Sequence, residues 1–136
     1  MLGFVRQALR DLHHTGSVWP SSRQLAKEMT KSIRALPSPR RILEVGPGTG
    51  PFTRALLKEL RDGDRLDLVE LSAAFCRDLD KKLIAPFRRR SPGVKVQIHC
   101  APIESVELDG LHQMIVCGLP FNNFPPKLVR AIFKRL

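Results

Sequence analysis

The stretch Ile42-Leu43-Glu44-Val45-Gly46-Pro47-Gly48-Thr49-Gly50 constrains this chain more than any other. A short, mostly apolar run that meets three closely spaced glycines reads as a buried strand entering a sharp turn. Just beyond it, Phe52, Leu56, Leu57 and Leu60 recur at helical spacing. Strand, glycine turn and helix form the first unit of an alternating α/β chain. Glycine lets the backbone turn tightly, and it lets a ligand reach main-chain N–H groups with no Cβ in the way. The form is G-x-G-x-G, not the G-x-G-x-x-G of dinucleotide sites. No Lys-Ser or Lys-Thr follows it, which excludes a phosphate-gripping P-loop.

The alternation continues. Arg41–Val45, Arg65–Glu70, Val94–His99 and Met114–Cys117 read as strands. Helices are expected over Gly50–Leu60, Ala73–Phe87 and Lys127–Leu136. Such a chain builds a parallel sheet with helices on both faces and right-handed crossovers. Upstream, Leu2, Val5, Leu9 and Leu12 place an apolar stripe on a helix over residues 2–14. A second helix is expected from about Arg23 to Leu36, with Leu25, Met29, Ile33 and Leu36 inward and Ser21 or Ser22 as its cap. The organisation is thus an N-terminal helical segment over 1–36 followed by an α/β domain over 37–136.

Two acids narrow the ligand. Glu70 ends the second strand, 20 residues after Gly50. An acid there accepts hydrogen bonds from ribose hydroxyls. Glu44 lies within the first strand, where a carboxylate repels a pyrophosphate and suits a cationic nucleotide such as S-adenosylmethionine, directly or through water. The balance of 23 Lys+Arg against 13 Asp+Glu, a net charge of +10, favours an anionic partner, either nucleic acid or an acidic membrane surface. Hydrophobic residues make up 43% of the chain, which argues against disorder. No apolar run nears the roughly 20 residues of a membrane-spanning helix, and the N-terminus does not read as a signal peptide. Cys76, Cys100 and Cys117, without CxxC spacing, read as reduced thiols of a cytoplasmic protein, and no metal site is expected.

Glu44 with Gly46, Gly48 and Gly50, followed by Glu70, resembles motifs I and II of class I S-adenosylmethionine-dependent methyltransferases. The whole chain resembles two related families within that class. The closer is the bacterial phospholipid N-methyltransferases, which convert phosphatidylethanolamine stepwise to phosphatidylcholine; the other is the rRNA adenine dimethyltransferases. The phospholipid resemblance rests on Gly118-Leu119-Pro120 with further prolines downstream, on Thr15–Met29, similar to a G-x-[VI]-x-P-[ST]-S segment, and on Val69-Glu70-Leu71-Ser72 with Ala73-Ala74-Phe75.

The resemblance implies a Rossmann-like class I methyltransferase sheet, truncated after the fourth strand and preceded by N-terminal helices. Seven strands are usual in that class and four can be placed, so a fragment, a truncated reading frame or half of an oligomer that completes the sheet is expected. It also implies S-adenosylmethionine as cofactor, held by Glu44, Gly46, Gly48, Gly50 and Glu70, with Ser21 and Ser22 near its methionine end. At the adenine corner, Cys100 or Ala101 stands where an Asp is common, so the contact falls to backbone groups, to Glu104, or to Pro102 and Ile103. Gly118, Leu119, Pro120 and Phe121 follow the fourth strand, on the acceptor side. Adenine N6-methyltransferases carry an Asn or Asp where this chain has Gly118, which offers only its carbonyl, and Phe121 can face a methylated nitrogen by a cation–π contact. His99 and His112 are candidate bases by residue type, with structural roles the stronger reading.

The expected reaction is methyl transfer to the amine of a phosphatidylethanolamine-type lipid by a cytoplasmic protein peripheral to the inner membrane. There the 2–14 helix, Lys81-Lys82 and Arg88-Arg89-Arg90 meet anionic headgroups. An rRNA adenine N6-dimethyltransferase, with RNA as partner, and an inactive cofactor-binding fragment are the alternatives.

Overall fold

The computed structural model describes residues 22–108 and 112–117. The helices expected over 2–14 and 127–136, and the segment carrying Gly118, Leu119, Pro120 and Phe121, lie outside these residues, as does Ser21. Four strands form one parallel sheet in the order β3-β2-β1-β4: β1 (Arg41–Val45), β2 (Arg65–Glu70), β3 (Lys95–Cys100) and β4 (Met114–Cys117). Three have the bounds that alternation predicts. β3 starts one residue later than expected because the Val94 N–H donates to the Ser91 carbonyl, which keeps Val94 in the turn. The Lys95 N–H then makes the first cross-strand bond, to Asp64. The order reverses between β1 and β4, so the crevice of a doubly wound sheet falls at the C-terminal end of β1, where the glycine loop begins.

The helices are α1 (Ser22–Arg34), α2 (Pro51–Glu59), α3 (Ala73–Leu79) and α4 (Ala85–Arg90). The single helix expected over 73–87 is a longer helical run, to Arg90, interrupted by a π turn at Asp80–Ile84. Pro86 explains the interruption. It has no N–H to give, and its ring crowds the preceding turn of a regular α-helix. The Ala85 N–H reaches back five residues to Asp80, a wider turn that lets the chain pass the proline and continue.

Alternation divides the sheet into two faces. On one, Ile42, Leu66, Leu68, Val96, Met114 and Val116 pack with Met29 and Ile33 of α1, Leu56 and Leu57 of α2, Ile84 and Phe87. Each fully buried aliphatic side chain contributes about 1.5–3 kcal/mol relative to exposure. The described helices therefore share one face, where helices on both were expected. The other face carries buried Leu43, Val45, Val69 and Ile115, with Asp67 at its centre.

Two polar clusters brace the sheet. At its N-terminal end, buried Arg40 forms an ion pair with Asp64 at 2.7 Å. The same guanidinium donates to the carbonyls of Ile33, at 3.1 Å, and Glu59, at 2.6 Å. One side chain thus ties the last turns of α1 and α2 to the turn before β2. Burial alone would raise the Asp64 pKa; bonds from Arg40 and the Arg61 N–H outweigh it and hold it below the usual range. On the second face, Asp67 accepts from Arg65 Nε at 3.1 Å and lies 3.0 Å from His99 Nε2 and 2.9 Å from His112 Nε2. Here too burial opposes ionisation, and the contacts from His112, His99 and Arg65 hold the carboxyl well below its ordinary value.

Candidate functional site: the glycine loop and its two acids

The loop Gly46–Gly50 leaves β1 and enters α2. Its first N–H, on Gly46, donates to Val69 at the end of β2, so the turn is anchored to the neighbouring strand. Gly48 and Gly50 both have positive φ, 60° and 92°, but their surroundings differ. A Cβ on Gly48 would meet no heavy atom within 4 Å, whereas one on Gly50 would lie 2.8 Å from Leu79 Cδ2 and from Leu83 Cδ1. Gly48 is the open cradle of the loop, and Gly50 is the close contact that seats the loop on the next helical run.

Glu70 closes the cradle. Its Oε1 accepts from the Gly48 N–H and its Oε2 from the Ser72 N–H, both at 2.8 Å. Each carboxylate oxygen keeps a further lone pair for an outside donor such as a hydroxyl. Ser72 in turn caps α3 by accepting from the Phe75 N–H at 3.2 Å. Next to Glu70, Leu71 is 69% exposed, an apolar surface beside an acid.

Glu44 lies on the helix-packed face and has no exposed surface. Both its oxygens meet the Thr53 hydroxyl, at 2.6 and 2.7 Å, in the first turn of α2. Burial first, and then the charge of Glu70, push its pKa up to about 8, against the opposing hydrogen bond from Thr53. Glu44 is expected to meet a cation directly or through water; with no exposed surface, its carboxyl faces Thr53 from behind the loop.

At the β3 end, Pro102 is exposed and Ile103 is buried, 4% exposed, in a short 3-10 turn over Ile103–Ser105. Of the two residues expected to lie on an adenine ring, Pro102 presents the surface. Glu104 is exposed. Cys100 is the strand partner of Glu70, and the Ala101 N–H donates to the Glu70 carbonyl at 3.1 Å. Cys76 of α3 is buried, and its thiol donates to that same carbonyl at 3.4 Å. Burial, followed by the influence of the Cys100 thiol, pushes the Cys76 thiol up to about 12. His99 and His112, candidate bases by type with a structural role the stronger reading, both meet Asp67 on the opposite face from Glu44 and Glu70. Ser22 opens α1, so it is a helical residue rather than the residue before the helix.

The structure thus brings together Glu44, Gly46, Gly48, Gly50 and Glu70. The sequence reading missed Thr53 and gave Leu71 no role of its own. Thr53 carried a signal, a polar residue on the otherwise apolar inward face of its helix. Leu71 carried a weaker one, an apolar residue just outside the last paired strand position.

No protein-family model and no curated protein matches the chain. Solved structures do match. The glycopeptide N-methyltransferase MtfA, complexed with S-adenosyl-L-homocysteine, is 20% identical with a TM-score of 0.62, over 82% of this chain and 41% of that one. CalS10, an S-adenosylmethionine-bound amino pentose methyltransferase from Micromonospora echinaspora, is 24% identical with a TM-score of 0.51, over 85% and 47%. A methyltransferase from Thiobacillus denitrificans, complexed with S-adenosyl-L-homocysteine, is 14% identical with a TM-score of 0.57, over 85% and 43%. The fold is that of the Rossmann-like class I methyltransferases, and the chain spans less than half the length of these three structures.

Proposed function

We propose that this chain forms the S-adenosylmethionine-binding part of a methyltransferase whose acceptor is the amine of a phosphatidylethanolamine-type lipid. The observation that carries the cofactor reading is the pairing of Glu70 with the open cradle at Gly48, set at the C-terminal end of β1 beside the reversal in strand order. The residues fit the group. Glu70 has lone pairs left for two ribose hydroxyls, and Gly48 admits close approach to the loop backbone. Leu71 and Pro102 offer apolar surfaces to a purine, and Glu44 places a titratable acid behind the loop. The bound cofactor supplies an activated methyl group. The protein aligns it with the acceptor nitrogen and excludes water.

The lipid acceptor rests on the resemblance at Gly118-Leu119-Pro120 and on exposed basic residues. Lys81, Lys82, Arg88, Arg89 and Arg90 are all exposed along the π turn and α4. A groove of about 640 Å³ beside β3 sets Lys95 next to Arg88, whose guanidinium also meets Asp80 at 3.6 Å. These charges suit an anionic membrane surface, each contributing roughly 1 kcal/mol when close to it.

The test uses the full chain with methyl-labelled S-adenosylmethionine and phosphatidylethanolamine vesicles. Label in the lipid amine is expected. Label in under-methylated ribosomal RNA and none in lipid overturns the acceptor. For the cofactor, calorimetry with S-adenosylhomocysteine should show binding that falls at least 30-fold in Glu70→Ala, the loss of two charge-assisted hydrogen bonds at about 1.5–3 kcal/mol each being ample for this. Equal binding by the two proteins overturns the site.

A further inference from the structure

Leu71 and Phe75 are the large apolar side chains left exposed among the described residues, at 69% and 40%. Both lie on one short segment, residues 71–75, where Ala73 and Ala74 are exposed as well. Exposed apolar residues scattered singly need no explanation, but a contiguous group at the mouth of a site does. This group follows Glu70 directly. Ser72 fixes its position: the Ser72 N–H donates to Glu70 Oε2 at 2.8 Å, and its hydroxyl accepts from the Phe75 N–H at 3.2 Å. The apolar tip is therefore tied to the acid that closes the cradle. Behind the tip the surface becomes cationic. Arg77, Lys81, Lys82, Arg88, Arg89 and Arg90 are exposed along α3, the π turn and α4, a run about 25 Å long. Its two acids are already engaged, Asp78 with Lys82 at 3.9 Å and Asp80 with Arg88 at 3.6 Å. Those pairs leave Arg77, Lys81, Arg89 and Arg90 outside any ion pair among the described residues.

We infer that the 71–75 tip enters the headgroup boundary of an anionic bilayer and sets the cofactor crevice against the membrane, so that the acceptor amine is reached without lifting the lipid out. This deepens the lipid reading above and rests on it for the acceptor, but not for the docking surface. An apolar tip with a basic flank matches such an interface. The ring and the short aliphatic side chains enter the acyl boundary, while the cations stay among the phosphates. A second copy of this chain matches less well, because it sets one cationic flank against another. RNA phosphates would take up the cations but leave the aliphatic part of the tip in water. Leu71 also borders the surface given above to a purine. Phe75, in the first turn of α3, has no part in that reading, so it is the residue that tests the tip.

The test introduces Phe75→Trp into the full chain and follows the added emission, with the unsubstituted protein as the baseline for Trp19. The vesicles hold equal parts of phosphatidylglycerol and phosphatidylethanolamine, with or without brominated acyl chains, and flotation measures binding in the same samples. The expected result is a blue shift of the added emission and a loss of at least half of it to the brominated chains. Phe75→Ser, checked for folding by circular dichroism, should float at least threefold less. A protein that floats while the added emission stays unquenched overturns the tip and leaves the lipid reading in place, with another face towards the membrane. Failure to float at all overturns both the tip and the lipid acceptor, whereas S-adenosylhomocysteine binding by that same protein keeps the cofactor reading. A blue shift without vesicles that accompanies a dimer in sedimentation, or one produced by RNA alone, gives the surface to a second copy or to nucleic acid and overturns the inference.

Discussion

Buried Glu44 should make the folded domain sensitive to pH. The ordinary carboxyl value is 4.5 and that of Glu44 is about 8. Between them the unfolded chain has lost this proton and the folded chain has kept it, so stability falls as pH rises through the window. The unfolding midpoint should drop from pH 5 to pH 8, and Glu44→Gln should flatten the slope, as denaturant titrations at several pH values would show. A cationic ligand reverses the preference by favouring the charged form. S-adenosylmethionine should therefore bind more tightly as pH rises from 6 to 8, with proton release seen as a buffer-dependent enthalpy that Glu44→Gln removes. The two loop glycines separate in the same way. Gly48→Ala should cost only about 1 kcal/mol for its left-handed φ but should block binding, because the methyl enters the cradle. Gly50→Ala, which also strikes Leu79 and Leu83, should cost about 2–4 kcal/mol in urea unfolding. Residue type and spacing were enough to place Glu70 beside the loop from sequence. The partner of Glu44 was not legible, because Thr53 becomes a partner only once α2 folds back along β1.

The strands were the most legible elements. A buried parallel strand is a short apolar run between turn residues, and β1, β2 and β4 have that form. The π turn was not legible, since Pro86 predicts a break in the helix and only the packed structure shows the chain widening by one residue and going on. Arg40 was also hidden. Beside Arg41 in a basic run it resembles any surface arginine, and its burial appears only when α1, α2 and the β2 turn converge on it. Removing one side of a buried pair costs about 3–5 kcal/mol. Arg40→Ala should lower unfolding stability by that amount, by chemical denaturation, while Arg34→Ala, across an exposed pair with Glu59 at 3.0 Å, should change it by less than about 1 kcal/mol.

The whole molecule combines this fold with a net charge of +10. If the charge serves membrane docking, flotation with anionic vesicles should bring the protein up at low salt. Raising salt should release it, because the Debye length shrinks from about 30 Å at 0.01 M to about 8 Å at 0.15 M. Replacing Arg88, Arg89 and Arg90 together by Gln should cut vesicle binding by at least tenfold at 0.1 M salt, given roughly 1 kcal/mol per basic residue near the surface. The Arg40–Asp64 brace and the glycine loop occupy opposite ends of β1, about 20 Å apart by strand rise. This separation matters for directed evolution. A library confined to the open side of the loop, with Gly50 kept, leaves the brace intact, so ligand preference can change while most of the folding stability is retained.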